Sequence, residues 1–236
     1  MKTIICEKDE LFDKAAERIC ILLNDATRSG SEPVLALACG ETMKPLWDRL
    51  VKFCENGKLS FFKAHVLCVT EYVGAKEEKC CRFALEAGLL KRVDIRPENC
   101  FFPDPADPVS YDRLIERLGG IDLAVLGIGE NCHIGYNEPG TFFDTHTHVQ
   151  KLTDRTKRQL LKRGFSEADI PGEAVTMGIK DLADAREILV LASGREKAAA
   201  VYQMLYAKTT SYIPAAYLQI PLEVTILLDR EAAAEL

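Results

Sequence analysis

Short apolar runs that alternate with amphipathic segments constrain the fold of this chain more than any other feature. Each run is about as long as one buried strand, and the residues between the runs repeat their apolar positions at helical spacing. The runs span residues 33–40, 64–69, 121–128, 187–193 and 223–229, and helices are expected over 10–24, 80–90, 109–118 and 196–205 and from residue 42 onward. Strands interleaved with helices predict an α/β layer fold with a mostly parallel sheet.

Polar loops that contain glycine follow four of these runs. The carboxyl ends of parallel strands share one edge of a sheet, and ligands of open α/β sheets bind at that edge. We therefore expect the loops ACGET, TEYVG, GENCHIGYNEPG and ASGREK to lie close together. The proline-rich segment 101–108 is the only plausible domain boundary inside the chain. Residues 1–236 are predicted to form a single domain.

Composition and charge narrow the partners to small molecules. The net charge of −6 and the lack of a long Lys/Arg run argue against nucleic acid. No stretch approaches the roughly 18 apolar residues of a membrane span, so no membrane association is expected. The nine cysteines include no CxxC pair and predict reduced, mostly buried thiols in a cytoplasmic protein, with vicinal Cys80 and Cys81 interpreted as ordinary thiols.

Two glycine turns between a strand and a helix offer an anion site. Backbone N–H groups, hydroxyls and the positive end of a helix dipole can hold a phosphate there, although ordinary capped turns are the alternative. A cation in the first helical turn, as at Lys197, is unfavourable unless an anion binds. The turns consist of Gly40, Glu41 and Thr42 and of Ser193, Gly194 and Lys197, and Lys157 could add charge from another segment.

The loop at 129–140 carries the most informative pair, His133 and Glu138. Because the loop follows a very apolar strand, we expect a partly desolvated imidazole with a carboxylate near enough to tune it. Such a pair can move protons near pH 7. A hydrogen-bonded structural histidine is the alternative interpretation.

A second histidine group, Asp144, His146 and His148, has the alternate spacing of ligands on one face of a strand. No fourth ligand stands at a convincing spacing, and threonines fill the positions between. The pattern is therefore interpreted as a solvated extended segment, and no metal site is predicted.

Several motifs in order resemble the glucosamine-6-phosphate deaminases and the related galactosamine-6-phosphate isomerases. LGIGENCHIGYNEPG is similar to their signature loop LGIGxDGHIAFNEP, ACGETMKPLW to a TGxTP phosphate turn, and VTEYVG to a DEYVG segment. AVTMGIKDLADAREILVLASGREKA is similar to their C-terminal stretch, so the resemblance covers nearly the whole chain. The NEP tripeptide distinguishes the chain from 6-phosphogluconolactonases, which share the fold but usually carry GHTASLFP there.

The resemblance implies a modified doubly wound, Rossmann-like α/β fold with a mostly parallel sheet and helices on both faces. It implies opening of an amino-sugar phosphate ring, proton movement between C2 and C1 and release of ammonia, with no metal or organic cofactor. By motif position, His133 corresponds to the ring-opening histidine, Glu138 to its carboxylate and the two glycine turns to the phosphate cradle. Lys157 stands where deaminases often have a phosphate-binding arginine. Family members occur as monomers and as larger assemblies, so a homo-oligomer is compatible with the sequence.

Three positions depart from the deaminase pattern. Thr70, followed by the matching Glu71, stands where deaminases have the aspartate that serves as proton-transfer base, and a hydroxyl is no base at neutral pH. Asn131 and Cys132 replace an aspartate and a glycine of the signature loop. Asparagine occurs there in the galactosamine-6-phosphate branch, which residues 178–191 also resemble, so we favour a galacto-configured substrate.

The missing base leaves three interpretations. Glu71 could reach in with its longer side chain, Glu138 could both open the ring and transfer the proton, or the protein binds sugar phosphates without turnover. We predict isomerisation with deamination of a 2-amino-2-deoxyhexose 6-phosphate, with galactosamine 6-phosphate favoured over glucosamine 6-phosphate. Lactone hydrolysis of the 6-phosphogluconolactonase type is a further alternative, because His133 could activate water.

Overall fold

A seven-stranded, wholly parallel sheet forms the centre of the chain in a computed structural model that describes residues 1–236. The strands are β1 (Lys2–Cys6), β2 (Val34–Leu37), β3 (His65–Cys68), β4 (Thr70–Tyr72), β5 (Cys100–Phe101), β6 (Leu123–Gly127), β7 (His148–Lys151), β8 (Glu173–Thr176), β9 (Glu187–Ala192) and β10 (Val224–Asp229). The large sheet has the order β1-β10-β9-β6-β2-β3-β5, and β4, β8 and β7 form a small antiparallel sheet. The five predicted strands all lie in the large sheet.

Seven α-helices connect and cover these strands. They are α1 (Lys8–Ser29), α2 (Lys44–Glu55), α3 (Cys81–Gly88), α4 (Pro108–Arg117), α5 (Asp154–Lys162), α6 (Ile179–Ala183) and α7 (Ala198–Tyr206). No helix combines the length and the apolar character that crossing a membrane requires.

Buried side chains form one core on each face of the large sheet. Alternate residues of β2 separate cleanly, with Leu35 and Leu37 in one core and Val34 and Ala36 in the other. Residues of α1, α2 and α3 fill the first core, and residues of α4, α6 and α7 fill the second. The predicted α/β fold with helices on both faces is therefore confirmed.

Strand order reverses direction between β2 and β6. From β2 the sheet continues through β3 and β5 to one edge, and from β6 it continues through β9 and β10 to the other. Loops that leave the carboxyl ends of two such strands diverge and open a crevice between them. The topology therefore places a cleft beside the loops that start at residues 38 and 128.

Candidate active site

A pocket lies in this cleft, and we call it the strand-end pocket. Residues from all four of the predicted glycine-bearing loops line it. The loops contribute Gly40 and Thr42, Thr70, His133 and Lys197. The structure thus brings together residues that are up to 159 positions apart in the sequence, Ala38 and Lys197 being the extremes.

His133 is held tightly against its own loop. Its ring lies over Gly129 so closely that a Cβ at that position would be 2.3 Å from Cε1. Nδ1 is 3.7 Å from Glu138 Oε2 and 3.5 Å from Thr156 Oγ1. Only 8% of His133 is exposed, and the residue lines the strand-end pocket. The imidazole therefore stands between a carboxylate and the pocket, where it can exchange protons with a ligand.

Glu138 is buried beside His133 and does not line the pocket. Asn131 Nδ2 donates to Oε2 at 2.6 Å, and Thr153 donates from N to Oε1 and from Oγ1 to Oε2, both at 3.2 Å. Burial raises the pKa of Glu138, but hydrogen bonds from His133, Thr156 and Asn131 outweigh it and leave the pKa lowered. The carboxylate is thus an anion that acts on a ligand through His133, which argues against direct proton transfer from Glu138 to the substrate.

The residues that replace the expected base point in different directions. Thr70 lines the pocket, with Oγ1 3.6 Å from Cys81 Sγ. Glu71 instead caps α3, where its carboxylate accepts from the backbone N–H groups of Cys81 and Arg82 at 2.8 and 2.7 Å. Of the three interpretations of the missing base, the one in which Glu71 reaches into the pocket is therefore disfavoured, because successive side chains of a strand face opposite sides and the Glu71 carboxylate is already bonded to α3.

Two cations give the pocket a positive charge. Lys197 is only 8% exposed and forms no salt bridge, and the charges of Glu130 and Glu196 act on its amine from beyond salt-bridge distance. Burial, followed by the charge of Arg163, lowers the pKa of Lys197. Both cations share the pocket with Gly40 and Thr42. A buried cation without a counter-ion is costly, so this arrangement favours an anionic ligand.

Several predicted phosphate ligands lie outside the pocket. Glu41 is exposed and pairs with a lysine on the next turn, and Lys157 on α5 does not reach the pocket. Ser193 Oγ and the Gly194 N–H donate to Asp229, which therefore occupies the second glycine turn. In place of Lys157, the structure puts Arg163, directly after α5, in the pocket.

Other pocket residues carried no distinct sequence signal. The hydroxyls of Tyr72 and Tyr136 contact each other at the pocket wall, and burial raises the pKa of both. Cys39 and Cys81 also line the pocket, although Cys81 was interpreted as an ordinary thiol. Tyr136 could have been suggested from the sequence by its position in the signature loop.

The second histidine group does not form the set suggested by its spacing. His146 precedes β7, and its Nδ1 is 2.6 Å from Asp181 Oδ1, with Asp112 close by. The hydrogen bond that His146 donates to Asp181 raises the pKa of His146, while burial raises that of Asp181. Asp144 and His148 are not part of this cluster, so the alternate spacing does not converge on one point.

Comparison with known proteins fits this geometry. Residues 6–226 match the family described as glucosamine-6-phosphate isomerases/6-phosphogluconolactonase. A glucosamine-6-phosphate deaminase of Halalkalibacterium halodurans is 40% identical over 84% of each chain, and glucosamine-6-phosphate deaminase 1 of Bacillus subtilis is 34% identical over 99% of each.

Solved structures of this family have the same fold as this chain. A monomeric glucosamine-6-phosphate deaminase superposes with a TM-score of 0.95 at 32% identity, covering 100% of both chains. The 6-phosphogluconolactonase of Trypanosoma cruzi, at 19% identity, shares the fold with a TM-score of 0.78 over 100% of this chain and 96% of its own. The chain therefore belongs to the enzyme family of glucosamine-6-phosphate isomerases and 6-phosphogluconolactonases.

Proposed function

We propose that the chain isomerises and deaminates a 2-amino-2-deoxyhexose 6-phosphate in amino-sugar catabolism. The observation that carries this proposal is the buried Lys197, which forms no salt bridge and shares one pocket with His133. An anion-binding end and a proton-exchanging end in one pocket suit a phosphorylated sugar. The names of the relatives, glucosamine-6-phosphate deaminases, support the same reaction class.

The phosphate binds at the cationic end of the pocket. Lys197 and Arg163 supply charge, and the turn at Gly40 and Thr42 supplies backbone N–H groups and a hydroxyl. Binding of the phosphate satisfies the buried amine, so affinity for the phosphorylated sugar exceeds that for the free sugar.

The sugar ring opens at the other end of the pocket. His133 takes the proton of the anomeric hydroxyl and delivers it to the ring oxygen, which converts the cyclic sugar to an open-chain aldehyde. The Glu138 carboxylate, 3.7 Å from Nδ1, stabilises the imidazolium that forms between these two transfers. Isomerisation then moves a proton from C2 to C1, and water releases ammonia from C2.

We favour galactosamine 6-phosphate over glucosamine 6-phosphate as substrate. Asn131 and residues 178–191 resemble the galactosamine-6-phosphate branch, and this resemblance is the support for the preference. Asn131 contacts Glu138 and does not line the pocket, so it does not read the sugar epimer by direct contact.

Ammonia release from each purified amino-sugar phosphate tests the function. We expect turnover of at least one epimer by the wild-type protein and none above background by His133→Ala. Turnover by neither epimer would remove the proposal. A higher kcat/KM for glucosamine 6-phosphate would remove only the epimer preference.

Thr70 motivates a second candidate function, a protein that binds sugar phosphates with little turnover. It predicts thermal stabilisation by the amino-sugar phosphates without ammonia release. Lactone hydrolysis is a third, supported by His133 and by the fold shared with a 6-phosphogluconolactonase. Hydrolysis of 6-phosphogluconolactone no faster than in buffer would exclude it.

Location and assembly are part of the proposal. All nine cysteines are free, which fits the reducing cytoplasm. The similar structure at a TM-score of 0.95 is described as monomeric, and light scattering of the purified protein would establish whether this chain is monomeric too.

A further inference from the structure

Three thiols converge on the Thr70 side of the strand-end pocket. Cys39 and Cys81 line the pocket, and Cys68 lies fully buried behind them. Cys39 Sγ is 3.3 Å from Cys68 Sγ, and Cys81 Sγ is 3.6 Å from Thr70 Oγ1. This side of the pocket is therefore built from sulfur and hydroxyl groups.

Proton movement between C2 and C1 needs a group that ionises and touches the sugar. The two nearest carboxylates do not qualify, because Glu138 lies behind His133 and Glu71 caps α3. The Thr70 hydroxyl reaches the pocket but does not ionise near neutral pH. The hydroxyls of Tyr72 and Tyr136 also line the pocket, but burial raises the pKa of both well above that of an ordinary tyrosine, which leaves the thiols as the remaining candidates.

Among the thiols, Cys81 is the best placed to become a thiolate. It is the first residue of α3, it lines the pocket, and its Sγ lies beside the Thr70 hydroxyl at the position of the missing base. The Cys39 thiol and the Thr70 hydroxyl donate to it and lower its pKa, while burial, the Cys68 thiol and the Glu71 carboxylate raise it. Burial and the negative neighbours prevail, so the thiolate fraction of Cys81 grows as the pH rises into the alkaline range.

The same pocket is built for a ligand on independent grounds. Lys197 is more than nine-tenths buried, lines the pocket and forms no salt bridge. A phosphate at Lys197 would hold the sugar in a pocket that both His133 and Cys81 line.

We propose, on the basis of the proposed function, that Cys81 is the group that moves the proton between C2 and C1. Ring opening leaves His133 neutral, and the C2 ammonium group of the open-chain aldose then gives it a proton. The Cys81 thiolate takes the proton of C2, the C–H electron pair forms the C1=C2 bond, and the imidazolium of His133 protonates the oxygen on C1. The thiol then returns its proton to C1, and the nitrogen lone pair forms a C2=N iminium. Water hydrolyses this iminium to the ketose and an ammonium ion, which leaves Cys81 as thiolate.

Substitution of Cys81 tests this role. We expect Cys81→Ser to lower kcat for ammonia release by about 10²-fold or more, with little change in KM, because positioned acid–base groups contribute about 10²–10⁴-fold. Cys100→Ser, on β5 and outside the pocket, is the matched control and should keep wild-type kcat. Thermal unfolding of each variant verifies folding, and Cys81→Ala replaces Cys81→Ser if the latter unfolds.

A double variant distinguishes proton transfer from a structural role. Thr70→Asp places a carboxylate beside position 81, so adding it to Cys81→Ser should raise kcat again by about tenfold or more. We also expect kcat of the wild type to rise with pH above neutrality and kcat of the double variant to lose that rise.

Two outcomes would overturn the role of Cys81. One is wild-type kcat in Cys81→Ser, and the other is a double variant no faster than Cys81→Ser. Both require an active wild-type protein, so they leave the proposed function standing. A wild-type protein that is silent on both epimers would instead remove the proposed function and this role together.

Discussion

Replacement of Glu138 by glutamine should separate catalysis from binding. The carboxylate stands 3.7 Å from His133 Nδ1, with only 1% of Glu138 exposed. Opposite unit charges at about 4 Å and an effective dielectric constant of about 20 attract by about 4 kcal/mol. Glu138→Gln removes this stabilisation of the imidazolium, and about 4 kcal/mol corresponds to about 10³-fold in kcat. KM should change little, because Glu138 does not line the pocket.

Steady-state kinetics of ammonia release would measure both constants for Glu138→Gln. The exposed Glu116 on α4 offers a matched control, since Glu116→Gln removes one negative charge far from His133. Thermal unfolding would verify that Glu138→Gln is folded, because the glutamine leaves one of the donors from Asn131 and Thr153 without an acceptor. A kcat within tenfold of wild type, or a large rise in KM at unchanged kcat, would refute the assigned role of the carboxylate.

Three further predictions concern the phosphate end, the His133 loop and its backbone. Lys197→Ala should raise KM for the phosphorylated sugar at least tenfold with little loss of stability, and an unchanged KM would place the phosphate elsewhere. Because the pKa of Lys197 is lowered, the wild-type protein should lose this charge, and KM should rise, at a lower pH than for an ordinary lysine. Gly129→Ala should lower kcat at least tenfold, since the new Cβ would displace the ring of His133. Gly172→Ala, with open space around its Cβ, is the control, and equal kcat in the two variants would show that the position of the His133 ring does not limit turnover. Cys132 is the one non-glycine residue with positive φ (66°), so Cys132→Gly should be more stable than Cys132→Ala by about 1 kcal/mol in urea unfolding. The reverse order would show that the backbone at residue 132 is unstrained.

The five inner strands of the large sheet could be predicted from the sequence because they are buried on both faces, whereas the edge strands β1 and β5 were missed. Runs such as Val34–Leu37 have no polar residue to confuse the pattern. The small sheet was missed because its strands are short and half-exposed, as in His148–Lys151, whose burial depends on a partner far away in the chain. Because the burial of such strands depends on neighbouring strands, their residue types do not alternate regularly along the sequence.

Some residues of the site could likewise be predicted from the sequence and others could not. His133 and Lys197 could be predicted because the loop after a strand and the first turn of a helix restrict where these residues lie. Arg163 was missed in favour of Lys157 because Lys157 lies in α5 and Arg163 directly follows it, and only tertiary packing decides which cation reaches the pocket. Glu71 was misplaced because the amides it caps belong to α3, which begins ten positions later.

The reversal of strand order between β2 and β6 has a kinetic consequence. The backbone N–H of Val34 donates to the side chain of Asp122 at a sequence separation of 88, so the cleft does not exist until distant parts of the chain have paired. Closing such long loops is slow compared with forming helices. During refolding, regained ammonia release should therefore lag behind the recovery of helical circular dichroism, and enzymatic activity would serve as a clock for the last stage of assembly.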